Sequence, residues 1–185
     1  EIVDHPTGVD QFELGFAVFY INRCSRSGVV MKAGPIGGKK QNGKWGLDAR
    51  FTRSSLIERI RRIEALKDRI VVTNSDGVDF LKSYLPRGSG RKNTFVYSDP
   101  PYYEQGGRLY FNEFTERDHK RVSAYMITQK LLHWLVTYDD THFIRNLYKD
   151  GCGLFQYDLS YSLQDKKKAT ELMAVSGKTR LPISF

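Results

Sequence analysis

Apolar residues recur at helical spacing along the first third of the chain, and beyond it in short runs cut by polar turns. Phe12, Phe16, Phe19 and Tyr20 stand three or four apart, which predicts a helix over 11–23. A second helix is predicted over 54–67, where Leu56, Ile57, Ile60, Ile63 and Leu66 share a face and Ser54 or Ser55 supplies a cap. Arg59, Arg61, Arg62 and Lys67 occupy its other faces. The rest alternates: a strand over 70–73, a short helix over 78–84, a Gly- and Ser-containing turn over 86–93 and a buried strand over 94–98. A helix over 117–132, a strand over 134–138 and a helix over 141–148 follow. Two final strands, 154–159 and 171–176, are joined by a turn carrying Lys166-Lys167-Lys168. Strand–helix alternation with short links predicts an α/β fold with a mostly parallel sheet covered on both faces and ending in an antiparallel hairpin.

Residues 24–51 follow no period. Glycines at 28, 34, 37, 38, 43 and 46 alternate there with Lys32, Lys39, Lys40, Lys44 and Arg50. Loops this long are usually functional. Gly34-Pro35-Ile36-Gly37-Gly38-Lys39-Lys40 hints at a phosphate loop, but its glycine spacing is wrong and no Ser or Thr follows the lysine. Its backbone amides remain available for phosphates; a flexible turn is the plainer reading.

Charge narrows the partner class. Among 185 residues, 29 Lys and Arg face 21 Asp and Glu, giving a formal charge of +8 and a pI near 9.5. Such an excess favours nucleic acid first and an anionic membrane second, with a merely basic surface as the alternative. Cys24 and Cys152 match no metal-ligand spacing and are too few for a disulfide framework, so a reducing cytoplasm and no metal are expected. No apolar run approaches membrane-spanning length, and the acidic opening with Glu1 and Asp4 is unlike a signal peptide. The four histidines are scattered and read as structural or surface residues.

The sharpest chemical signal is Asp99-Pro100-Pro101-Tyr102, at the end of the strand over 94–98. A given string of this length occurs by chance in roughly one chain of this size in a thousand. In open α/β sheets ligands bind beyond the carboxyl ends of strands, which is where Asp99 falls. A carboxylate accepting one hydrogen of an exocyclic amine and a backbone carbonyl accepting the other favour a pyramidal, nucleophilic nitrogen. Pro100 supplies such a carbonyl with φ fixed, and Pro101 restrains Pro100 toward extended geometry. Tyr102 offers a stacking face worth about 1–3 kcal/mol. A base inside a duplex must be extruded to reach such a site. The plainer reading is a proline-stiffened turn with a capping aspartate.

At these residues the chain resembles the Dam-like, adenine-specific DNA methyltransferases, which transfer a methyl group from S-adenosylmethionine (SAM). The resemblance covers nearly the whole chain. Beyond Ser98-Asp99-Pro100-Pro101-Tyr102-Tyr103, the run from Phe19-Tyr20-Ile21-Asn22-Arg23 through Ser27-Gly28 and Ala33-Gly34-Pro35 is similar to the family's target-recognition segment. Asn74-Ser75-Asp76 resembles its third motif, whose acidic residue contacts the SAM adenine. Trp134-Leu135-Val136-Thr137-Tyr138-Asp139 and the stretch from Leu159-Ser160 to Glu171-Leu172-Met173 resemble later segments. The resemblance implies a Rossmann-like methyltransferase sheet over 54–185 with a target-recognition segment over 1–53. It implies that Asp99 and Tyr102 hold the flipped adenine with Pro100 and Pro101, that Asp76, Gly77 and Ser98 line the SAM site, and that Arg23, Arg26, Ser27, Lys39 and Lys40 touch double-stranded DNA. Arg23, at a helix end, has a structural alternative. A bacterial or phage-infected cytoplasm, at the nucleoid, follows as the expected setting.

The family opens with a Phe-x-Gly-x-Gly loop for SAM, and no glycine pair of that spacing precedes residue 28. The expectation is therefore a chain without the N-terminal SAM-binding part: a fragment, half of a split enzyme completed by another chain, or a non-catalytic DNA-binding module. Methylation of RNA or of a protein amide is a further alternative. Asp99, rather than Asn, favours adenine.

Overall fold

The computed structural model describes residues 8–30, 33–104, 114–160 and 168–181, and the chain divides into two compact units, Glu1–Thr73 and Asn74–Phe185. Lys32 and residues 161–167, where the lysine-rich turn is expected, lie outside the described residues.

The first unit opens with helix α1, Gln11–Cys24, whose start is fixed by Asp10 accepting from the backbone N–H groups of Phe12 and Glu13. Phe19 and Tyr20 pack against Phe51, with ring centroids 6.0 and 5.7 Å apart. The glycine- and lysine-rich stretch is an ordered lobe despite its lack of periodicity. Residues 24–26 run antiparallel to 34–36, with Ile36 N–H donating to Cys24 O at 2.8 Å and Arg26 N–H to Gly34 O at 3.1 Å. The Gln41 amide then organises the following loop, donating to Ile36 O and Gly38 O and accepting from Leu47 N–H. Gly37, at φ +80°, could carry no side chain, because a Cβ would lie 2.6 Å from the Trp45 carbonyl.

Helix α2, Arg53–Glu64, forms near its predicted place but buries only Leu56. Ile60, Ile63 and Leu66, expected on one apolar face, are exposed. The strand expected over 70–73 is absent, and Val71 and Val72 are 78% and 88% exposed. β-Branched residues become a strand only against a neighbouring ladder, and among the described residues none pairs with this run.

The second unit is α/β. Helix α3, Gly77–Tyr84, leads to strand β1, Phe95–Ser98; helix α4, Glu116–Thr128, to strand β2, His133–Asp139; helix α5, His142–Tyr148, to strands β3, Gly153–Ser160, and β4, Lys168–Val175. Thr115 and Asp118 form a reciprocal capping box at the start of α4. The sheet order is β1-β2-β4-β3. Only β1 and β2 are parallel; β4 pairs antiparallel with both β2 and β3, which corrects the mostly parallel expectation. β3 and β4 pair antiparallel as expected; the departure lies in β4, which inserts between β2 and β3 and runs antiparallel to β2.

Trp134, Val136 and Tyr138 point from β2 into a core shared with Met126 of α4, Ile144 and Tyr148 of α5, and Leu172 and Ala174 of β4. On β1, Val96 joins that core. Phe95 and Tyr97, on the opposite face, are 57% and 59% exposed, so the sheet is not covered on both faces at β1. Strand β1 is also one of the sheet's two edge strands, β3 being the other.

Candidate active site

Strand β1 ends at Ser98, and Asp99-Pro100-Pro101 carries the chain off the sheet. The Asp99 carboxylate is exposed and accepts from the Thr137 hydroxyl at 2.7 Å. The single Thr137 proton is used there, so the Tyr97 hydroxyl, 3.1 Å from Thr137 Oγ1, is the donor in the second contact. Two residues along β2, Asp139 accepts from the backbone N–H groups of Tyr103 at 2.8 Å and Glu104 at 2.7 Å, one on each carboxylate oxygen. Tyr103 stacks on Phe143 with centroids 4.4 Å apart and donates to Glu116 at 3.0 Å. That hydrogen bond to a carboxylate holds the Tyr103 phenol above its ordinary pKa.

Asp76 is the cap of α3. Its Oδ1 accepts from Val78 and Asp79 N–H, both at 3.0 Å, and its Oδ2 pairs with Arg121 at 3.0 Å. Arg121 also reaches Asp79 at 2.5 Å and holds that carboxyl below its usual range. No heavy atom lies within 4 Å of a Cβ built on Gly77, so the start of α3 faces open space.

Between α3, β1 and α4 lies a cleft of about 570 Å³. Asp76, Gly77, Ser98, Asp99, Pro100 and Pro101 all line it, so the residues expected from sequence to hold cofactor and base share one concavity. Leu81, Val96 and Met126 give it an apolar wall. Tyr102 is half-buried and is not part of the lining.

The expected DNA contacts belong to the first unit. Arg23 is engaged there: its Nε donates to Arg50 O at 2.8 Å and its Nη2 bonds the same carbonyl, tying the end of α1 to the end of the lobe. Arg26, Ser27, Lys39 and Lys40 are exposed, and Ser27 holds a left-handed φ of +56°. The lysines follow the Gly37–Gly38 turn.

Reading the sequence missed Thr137, Asp139 and Arg121. The available signal was alternation: Thr137 and Asp139 are polar residues two apart on a strand whose intervening position, Tyr138, is core. Among the described residues no cluster of His, Cys, Asp and Glu has the make-up of a metal site, and no helix is long and apolar enough to cross a membrane. Comparison with known proteins gives no matching family model and no curated relative.

Proposed function

We propose that the second unit is the base-holding part of a SAM-dependent methyltransferase acting on the exocyclic N6 amine of adenine in double-stranded DNA. The observation that carries this reading is the shared cleft: the Asp99-Pro100-Pro101 turn and the start of α3 open into one concavity. Its volume of about 570 Å³ lies in the range of small-molecule sites. The fit to SAM is good in its apolar wall and in the open Gly77 backbone. Asp76 already serves α3 and Arg121, so the hydrogen-bond donor at that end is the Gly77 N–H, and Val78 and Leu81 add apolar contact. When bound, SAM supplies an electrophilic methyl group. The chain's own contribution is to accept the amine's hydrogens at Asp99 and at the Pro100 carbonyl, leaving the nitrogen lone pair free. Tyr102, outside the cleft lining, is given the stacking role by the family resemblance alone, and Arg26, Lys39 and Lys40 grip phosphates in a nucleoid or phage-infected cytoplasm.

One observation favours a second form of this reading. Among the described residues no strand pairs with the outer edge of β1, and Phe95 and Tyr97 on that strand are largely exposed. An exposed apolar sheet edge is a ready template for pairing with another segment. A further polypeptide segment pairing there would complete the cleft, and without it the chain acts as a DNA-binding module. The test is incubation with duplex DNA and methyl-labelled SAM, followed by digestion to nucleosides. Label on N6 of adenine, lost in Asp99→Ala, is the expected product. DNA binding without transfer supports the module, and label on cytosine, on RNA or on a protein amide overturns the adenine assignment.

A further inference from the structure

We infer that Thr137 and Asp139 are positioning residues, a pair on β2 that fixes the turn from Asp99 to Glu104 in the geometry its ligand requires. The inference rests on the methyltransferase reading for its kinetic arm only. Both residues project from β2 away from the Trp134, Val136 and Tyr138 row, and both are buried, at 6% and 7% exposure.

Their burial calls for a cause. A buried carboxylate is costly unless hydrogen bonds compensate it, and Asp139 has two, both from successive backbone N–H groups of the turn. Register places it opposite Glu171 on β4, itself buried, and like charges directly opposite are destabilising. An apolar residue would suit the sheet better there, so the acid is explained by what it holds. Thr137 acts on the other end of the turn. Its hydroxyl binds Asp99 Oδ1 while receiving the Tyr97 hydroxyl, a chain that polarises each link. It thereby restrains the carboxylate's rotation and leaves Oδ2 available to accept from a ligand. The two anchors straddle the proline pair, whose rigid backbone carries the constraint from one to the other.

The experiment compares the parent chain with Asp139→Asn, Thr137→Val and Thr137→Ser, after thermal melting shows that each is folded. Amide hydrogen exchange at Tyr103 and Glu104, the Asp99 χ1 rotamer from three-bond couplings, and kcat and KM for methyl transfer are read on each. The parent is expected to protect both amides although they lie outside any strand or helix. An asparagine offers one acceptor oxygen, so Asp139→Asn should speed exchange at one or both amides by about tenfold or more. Thr137→Val should leave those amides unchanged, average the Asp99 rotamer and lower kcat by about tenfold with KM within about threefold. Thr137→Ser keeps the hydroxyl and should restore both. Unprotected amides in the parent, unchanged exchange in Asp139→Asn, or a serine variant as impaired as the valine one would overturn the inference. Absence of methyl transfer in the parent would instead count against the function, and exchange and rotamer would still decide the positioning roles.

Discussion

Asp99 separates folding from chemistry more cleanly than any other residue of the site. Its carboxylate is exposed and, among the described residues, accepts one hydrogen bond, from Thr137 at 2.7 Å. Truncation to alanine leaves the Thr137 hydroxyl its Tyr97 partner, so the cost to the fold is about 1 kcal/mol or less. The chemical cost is larger. A carboxylate accepting from an amine that gains positive charge is a charge-assisted contact that strengthens toward the transition state. Removing one such preorganised group typically lowers kcat by about 10²–10³, or 2.7–4 kcal/mol. Asp99→Ala should therefore lose at least about a hundredfold in methyl transfer while its urea midpoint shifts little and its affinity for duplex DNA is nearly unchanged. The assay is transfer of labelled methyl to DNA under single-turnover conditions, paired with urea unfolding. Turnover within about threefold of the parent would refute the role of Asp99 as the group that holds the amine. A loss of stability above about 3 kcal/mol would show that the residue serves the fold instead.

Tyr102→Ala should weaken capture of an extruded base by about 1–3 kcal/mol, seen as a smaller rise in 2-aminopurine fluorescence at the target position. An unchanged signal would remove Tyr102 from the base site. Replacing Lys39 and Lys40 with alanine should reduce the salt dependence of duplex binding by up to about two phosphates' worth, near 0.9 in log–log slope for each, and weaken all sequences alike; identical slopes would make the lobe a solvated loop. His119 is fully buried among Tyr103, Phe114, Tyr138 and Phe143, and burial holds its imidazole below the usual pKa against the opposing pull of Asp139, Asp118 and Glu116. The unfolded chain takes up that proton near pH 6.5 and the native one only at lower pH, so stability should fall as pH drops below about 6.5, with no contribution above it. His119→Phe should flatten that acid slope in urea titrations, and an unchanged slope would assign it elsewhere.

Local signals were legible where they are self-contained. The helix over 11–23 and the short helix over 78–84 lie within a residue or two of α1 and α3, because Asp10 and Asp76 cap them within their own first turns. The strand before Asp99 was legible as a short β-branched and aromatic run bounded by polar turns. The same chemistry misled over 70–73, since Ile70, Val71 and Val72 have β-propensity but no ladder beside them. The antiparallel β3–β4 pair was legible from its short link, but the insertion of β4 beside β2 was not, because it is settled by packing. That Asp76 and Asp99 belong together was implied only by the family resemblance, and the structure lines one cleft with both. The tie from Arg23 to Arg50 crosses 27 positions and had no sequence signal. Neither did the reach of Asp139 back to Tyr103, across 36.

The central claim is that the cleft between α3, β1 and α4 receives the methyl donor. Calorimetric titration of the chain with SAM, alongside a Leu81→Trp variant that fills the cleft wall, tests it most directly. Saturable binding in the parent, weakened at least about tenfold in the variant at unchanged melting temperature, is the predicted result. No binding in the parent, or equal binding in both proteins, would contradict it.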